Sequence, residues 1–478
     1  MPGDELSFHG IAEVVISTLS DVVFSQINIL GTRIEWVVLW MALPMVFFTF
    51  YLKFVNVRGF RLSLQILKGR YADPNAPGEV TQIQALTTAL SGTIGLGNIA
   101  GVAIAIAIGG PGATFWMIII AFFAMSLKFA ECMLGVKHRV ILPDGSVFGG
   151  PMYYLSRGLE EKNWPRLGKF LALSYGMFAI PSMLQYTQVN QAYSQVSSVT
   201  GYEFPWLFGI CLAVAVGLVI IGGIKSIAKA TSRLVPIMCG IYILATLTIL
   251  ITHIDAIPEA VISIFEGAFA PEGVVGGVVG VFVIGMRRAI YSTEAGTGVS
   301  TMVHAAAKTK EPVSQGLAAL MEPFVDTVIV CTMTALVIIV TGAYKIDGLD
   351  DIQITSAAFG SVIWWFPYIL AICVLLFAFS TIISWCYYMS RVWSFLFGYS
   401  HLSLNTFRLL FCIALVPGGV FSIQQVIDLI DSFVFLITIP NILGLFILAP
   451  AVKRDLKDYL DRVQAEPLLN YTGETEAH

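Results

Sequence analysis

Between Thr88 and Gly101 the chain reads Thr-Ala-Leu-Ser-Gly-Thr-Ile-Gly-Leu-Gly-Asn-Ile-Ala-Gly. Glycines at 92, 95, 97 and 101, with Ser91, Thr93 and Asn98 among them, interrupt an apolar segment spanning residues 82–108. A glycine costs a helix about 1 kcal/mol relative to alanine. Three within six residues therefore predict a helix that comes apart. Inside a bilayer, freed backbone groups are tolerated only where they face protein or a wet cavity. The N–H groups of Leu96, Gly97 and Asn98 would open a second half-helix, whose positive dipole end suits an anion. The carbonyls of Ser91 and Ile94 would face the other way and suit a hard cation. Thr93 and Gly95 complete the predicted ligand-binding stretch. The competing reading is that these small residues only let two helices pack closely.

Other residues have the types and spacing to line such a site. Gln185, Gln188, Gln191 and Gln195 recur every three or four positions and form a polar stripe on one helix face. A stripe of that kind belongs in the bundle interior or against water. Gln185 and Gln188, nearest the middle, are expected to touch a bound ligand; helix–helix hydrogen bonding is the alternative. Trp385 follows Thr381 by one helical turn and is expected to wall the pocket, with packing as the alternative. Glu294 is read as a gating or structural carboxylate that bonds exposed backbone N–H groups or pairs with Arg287 or Arg288, because charges inside a membrane are costly and usually functional. Asp326 and Glu131 are candidates for a proton relay. His304 is expected near the inner surface.

These residues require a membrane scaffold. Of 478 residues, 57 % are hydrophobic and 12 % charged, whereas a soluble domain has about 25 % charged residues. Runs of about 20 apolar residues predict eleven spans near 34–54, 82–108, 113–136, 170–198, 205–222, 234–252, 274–306, 316–342, 367–390, 406–421 and 430–450. Residues 1–33 are expected to lie on the outer surface. Alternating loops place 22 of the 27 Lys and Arg on one side, which predicts N-terminus out and C-terminus in, with a cytoplasmic tail at 451–478. No cleavable leader is expected.

The expected fold class is an all-α polytopic membrane protein. One extra helix (34–54) precedes a 5+5 inverted-repeat transporter core, formed by residues 82–252 and 274–450. Each half opens on a glycine-interrupted helix, the second being Gly285-Met-Arg-Arg-Ala-Ile-Tyr-Ser-Thr-Glu-Ala-Gly-Thr-Gly298. Two interrupted segments at matching positions point to a transporter's binding site.

Several motifs resemble the alanine or glycine:cation symporter family over residues 82–450. They are Gly95-Leu-Gly-Asn-Ile-Ala-Gly-Val-Ala103 with Gly109-Gly-Pro-Gly-Ala-Thr-Phe-Trp-Met117, Gly149-Gly-Pro-Met-Tyr-Tyr154, Ser292-Thr-Glu-Ala-Gly296 with His304-Ala-Ala-Ala-Lys308, Phe377-Ala-Phe-Ser-Thr381 with Trp385, Tyr387 and Tyr388, and Ile439-Pro-Asn441. Gly95-Leu-Gly-Asn98 is also similar to the unwound helix of neurotransmitter:sodium symporters. The chain departs from the family pattern at Leu96, Thr293, Met389-Ser390 and Gly298-Val-Ser-Thr301.

The resemblance implies a 5+5 inverted-repeat fold and Na⁺-coupled uptake of small neutral amino acids such as alanine or glycine by alternating access. It adds Ser380, Thr381 and the Phe377 carbonyl to the Na⁺ ligands, and Thr381 to the residues expected to bind substrate. A hydroxyl bonding back to its own helix is the competing account of Ser380 and Thr381. H⁺ coupling, or a glutamine- or serine-type substrate, is the alternative function. The expected setting is a bacterial inner membrane, and a monomer suffices.

Other classes are disfavoured. The six histidines are scattered and no HExxH, GxSxG or P-loop occurs, so the chain is not read as an enzyme. The seven cysteines form no CxxC pair, so neither disulfides nor a metal cluster is expected. No basic patch interleaved with aromatics suggests nucleic acid, and no repeated pore loop suggests a channel.

Overall fold

A computed structural model describes residues 18–29, 32–270, 277–346, 348–349, 351–420, 430 and 432–465. Most of the expected N-terminal surface segment, and the tail after Ala465, lie outside these. The principal helices are α1 (Trp36–Tyr51), α2 (Gln82–Thr93), α3 (Ala100–Gly109), α4 (Gly112–Lys137), α5 (Pro165–Ala179), α6 (Tyr186–Thr200) and α7 (Pro205–Ile220). They continue with α8 (Gly223–Thr252), α9 (Gly277–Thr293), α10 (Thr301–Ala305), α11 (Pro312–Thr341), α12 (Phe366–Phe397), α13 (His401–Leu415) and α14 (Thr438–Ala465).

Seven helical stretches among the described residues are long and apolar enough to cross a membrane, and α2 with α3 forms an eighth. The eleven expected spans also include α1 and α7, which are shorter apolar helices, and the interrupted pair α9–α10. The molecule is a multi-pass helical membrane protein. It is not purely α: hairpins pair Gln26–Ile29 with Thr32–Glu35, and Val140–Ile141 with Val147–Phe148.

The first interrupted helix follows from its sequence. Thr81 and Gln84 form a reciprocal capping box that starts α2. The helix ends at Ile94, whose ψ of 93° leaves helical geometry. Gly95 is extended, Leu96–Asn98 make one 3₁₀ turn, and α3 resumes at Ala100 with the axis bent by 63°. In the second, α9 stops at Thr293, the chain passes through Glu294 at φ 50°, and α10 begins at Thr301.

The expected span at 170–198 falls within one apolar helical stretch, Pro165–Thr200, long enough to cross a membrane. That stretch is interrupted between α5 and α6, where Ile180–Met183 form a 3₁₀ turn around Pro181 and Leu184 is extended. Proline removes a backbone donor and clashes with the preceding turn, so a third unwound segment arises.

Helix α4 is the pillar of the core and packs against α1, α9, α11 and an amphipathic helix at Ile257–Phe269. The last contact is backbone to backbone: a Cβ on Gly112 would sit 2.1 Å from the Gly267 carbonyl carbon.

Candidate functional site

A cavity of about 420 Å³ lies where the three unwound segments meet. Thr93, Gly95, Leu96 and Gly97 line it from the first break, and Glu294, Arg287 and Arg288 from the second. Gln185 and Gln188 line it from the start of α6, and Trp385 from α12. Thus all but two of the residues expected to bind substrate border one space.

The two exceptions are Asn98 and Thr381. Asn98 is fully buried and turns its side chain away from the cavity. Its Oδ1 accepts the Gly95 N–H at 2.9 Å, and its Nδ2 donates to Asp326 Oδ1 at 2.6 Å and Ser292 Oγ at 3.2 Å. Its own N–H is used by the Gly95 carbonyl at 3.2 Å. Asn98 therefore holds the shape of the break, and the anion-cradle expectation narrows to Leu96 and Gly97. Their N–H groups have no acceptor among the described residues.

Asp326, proposed from sequence as a proton-relay residue, is the hub joining the two breaks. Its Oδ2 also accepts from Ser292 Oγ at 2.5 Å and Thr327 Oγ1 at 2.6 Å. It sits on a π-helical stretch, Phe324–Cys331, within α11. Such bulges often occur at functional sites.

The oxygen ligands expected for a cation gather beside the cavity. Thr381 Oγ1 donates to the Ser91 carbonyl at 3.0 Å, and Ser380 Oγ approaches the same carbonyl at 3.5 Å. Ser380 Oγ also donates to the Phe377 carbonyl at 3.0 Å. The last contact is the back-bonding expected as the competing account of Ser380. Ser384, one turn further along α12, joins this cluster through Ser91 Oγ and donates to the Thr88 carbonyl at 3.0 Å. Its spacing from Ser380 and Thr381 was the signal that it shares their face. Thr381 Oγ1 lies 3.0 Å from where a Gly95 Cβ would be, and Gln188 Oε1 3.5 Å. The oxygen cluster and the cavity thus meet across Gly95.

The glutamine stripe divides. Gln188 Oε1 is buried without a hydrogen-bond partner at the cavity wall. Gln185 Nε2 donates to the Ser182 carbonyl at 2.8 Å, and Gln195 donates to Ser356 Oγ at 3.2 Å, outside the cavity. Ser182 and Gln191 line the cavity too. Ser182 was not legible as a site residue because the break that exposes it was not foreseen.

Two expectations change. Arg287 pairs with Glu35 at 2.9 Å rather than with Glu294, because Glu35, at the start of α1, reaches the same level. Glu294 lines the cavity and keeps a buried oxygen, Oε2, without a hydrogen-bond partner among the described residues. His304 is fully buried, not at the inner surface. Its Nε2 bonds Glu322, and Gln315 Nε2 meets its Nδ1 at 2.5 Å. Glu322 is in turn paired with Lys128 at 3.1 Å, and Lys128 donates to Ser300 Oγ at 2.8 Å. Ligand atoms of Cys132, His304 and Glu322 fall within 4.8 Å of one another, a grouping not expected from sequence. The Lys128 ammonium supplies the positive charge there, which argues against a metal. Glu131 Oε1 accepts from the Gly296 N–H at 3.1 Å and Asn441 Nδ2 at 2.8 Å, leaving Oε2 buried and unpartnered.

Known proteins share this architecture. The profile described as the Sodium:alanine symporter family matches residues 17–471. The sodium/alanine symporter AgcS of Methanococcus maripaludis is 37 % identical over 421 residues, covering 87 % of this chain and 92 % of that protein. The probable sodium/glutamine symporter GlnT of Bacillus subtilis is 32 % identical over 423 residues, covering 88 % and 87 %. Among solved structures, MhsT in complex with L-phenylalanine superposes with a TM-score of 0.54 at 14 % identity, covering 78 % of this chain and 89 % of that one. At that identity the likeness concerns the fold alone.

Proposed function

The chain belongs to the sodium:alanine symporter family, and from that premise we propose that it carries a small neutral amino acid, alanine or glycine, inward with Na⁺ by alternating access. The observation that carries this reading is the first break. Two N–H groups without acceptors among the described residues, on Leu96 and Gly97, sit at a cavity that meets a cluster of carbonyl and hydroxyl oxygens across Gly95. A zwitterion's carboxylate would take the N–H pair. Na⁺ would take the carbonyls of Ser91, Ile94 and Phe377 with the hydroxyls of Ser380 and Thr381. Trp385 and Gln188 would bound the side-chain end. Glu294, with Arg287 and Arg288 beside it, would act in gating. Two five-helix repeats, 82–252 and 274–450, would rock about this site, with the N-terminus outside and the C-terminus in the cytoplasm.

Losing one hydroxyl ligand should weaken ion binding by about 1.5–3 kcal/mol, the usual worth of a hydrogen bond to a charge. Thr381→Ala is therefore expected to raise the Na⁺ concentration for half-maximal uptake at least tenfold. An unchanged Na⁺ dependence removes Thr381 from the ion site.

A larger polar substrate is the second reading. The polar wall of Ser182, Gln185, Gln188 and Gln191 favours glutamine or serine. Uptake of labelled alanine, glycine, serine and glutamine into proteoliposomes, under a Na⁺ or a pH gradient, separates the possibilities. Alanine accumulation under the Na⁺ gradient supports the first reading. Glutamine accumulation alone supports the second, and a pH gradient sufficing without Na⁺ transfers the coupling to H⁺ through Asp326 or Glu131. If neither gradient concentrates any of the four, both readings fail.

A further inference from the structure

A second cavity, of about 280 Å³, lies between the end of α1 and the middle of α14. Four cations border it: Lys53 and Arg58 from the segment after α1, and Lys453 and Lys457 from α14. One acid, Asp461, shares the rim. No carboxylate among the described residues lies within ion-pair distance of any of the four. Four like charges gathered around one concavity repel each other unless an anion joins them.

The backbone is bent to bring them together. Lys53 and Phe54 both adopt positive φ, 55° and 57°, a conformation uncommon for residues other than glycine. The Phe54 N–H is bound to the Thr49 carbonyl at 2.8 Å, which fixes that turn. From the other side, Lys453 Nζ lies 4.3 Å from the centre of the Tyr51 ring. The floor is apolar, with Leu52 and Leu456 buried. Phe50, Phe54 and Val57, which neighbour the lining residues Tyr51, Lys53 and Arg58 in sequence, are 58 %, 37 % and 57 % exposed. A site that joins a cationic cup to exposed apolar side chains at the end of a membrane helix has both halves of a phospholipid's chemistry.

We propose that this cavity binds the phosphodiester headgroup of an anionic phospholipid, its acyl chains lying along Phe50 and Phe54. Basic pockets between membrane helices are suited to such headgroups. The bound lipid would staple α1 to α14, two helices from opposite ends of the chain. The inference does not depend on which amino acid or ion is carried.

The test uses the full chain in a neutral detergent, read by thermal unfolding. Phosphatidylglycerol is titrated against phosphatidylcholine and against soluble glycerol phosphate. The wild type is compared with Lys453→Gln/Lys457→Gln, and with Arg166→Gln/Lys169→Gln, which removes two exposed cations elsewhere. All four positions are exposed, so folding is retained. Phosphatidylglycerol is expected to stabilise the wild type and the Arg166/Lys169 variant equally. Its apparent affinity for the Lys453/Lys457 variant should be about 30-fold weaker, the conversion of about 1 kcal/mol for each of the two cations near a lipid surface. Equal responses to the two lipids, or equal weakening in both variants, overturn the proposal. A response to glycerol phosphate matching that to lipid assigns the cavity to a soluble anion and overturns it as well.

Discussion

Gly97→Val is expected to abolish amino-acid binding while leaving the protein folded. The two halves of that expectation have separate grounds. An added Cβ at Gly97 meets no atom within 4 Å, and the residue does not occupy the left-handed region that only glycine enters easily. The isopropyl group therefore fits without displacing the scaffold. The space it fills is the cavity over the Gly97 N–H, where the carboxylate is proposed to sit. Removing two hydrogen bonds to a charged group should cost about 3 kcal/mol or more, a factor of at least about 100 in affinity. Equilibrium binding of labelled alanine, paired with a thermal melt, checks both halves. Normal affinity in a well-folded Gly97→Val protein rejects the anion-cradle assignment.

Lys128→Ala should be the most damaging change to stability. Lys128 and Glu322 are both fully buried and paired at 3.1 Å, with Ser300 and His304 completing the cluster. The pair ties α4 to α11, while Ser300 and His304 bring in the second half of the second interrupted helix. Removing the lysine leaves the Glu322 carboxylate without its ammonium, and breaking a buried pair this way costs about 3–5 kcal/mol. Replacing both charges by apolar residues of similar size is far less harmful. Lys128→Met/Glu322→Leu is accordingly expected to melt above Lys128→Ala. If the single variant unfolds in detergent at the wild-type midpoint, the cluster does not anchor that half-helix.

How much of this was legible in the sequence depended on what kind of signal each feature leaves. The first break was readable because Gly92, Gly95 and Gly97 mark the backbone itself, and the structure unwinds at Ile94 and Gly95. The break at 180–185 left one weaker mark, Pro181, inside a run apolar enough to pass for a single span. Ser182 went unnoticed with it. Side-chain partners were least accessible. Arg287 meets Glu35 across 252 positions, and Asn98 meets Asp326 across 228. Such pairings are set by how helices pack, and local spacing carries no trace of them. The same holds for His304: its place near a span's end predicts water, yet α10 is a short segment packed against α4.

The eleven expected spans and the seven or eight long helices differ in an instructive way. Hydropathy detects apolar runs and is blind to whether a run is one helix. α1 and α7, with 16 residues each, and the interrupted α9–α10 pair are apolar yet too short or too broken to count as single long spans.

A structure of the protein with alanine and Na⁺ bound tests the central claim most directly, because two cation-like surfaces compete for the substrate carboxylate within one cavity. The account predicts carboxylate oxygens within about 3 Å of the Leu96 and Gly97 nitrogens, with the ion against the Ser91 carbonyl and Thr381 Oγ1. A carboxylate held instead by Arg287 or Arg288, with Leu96 and Gly97 untouched, would contradict it.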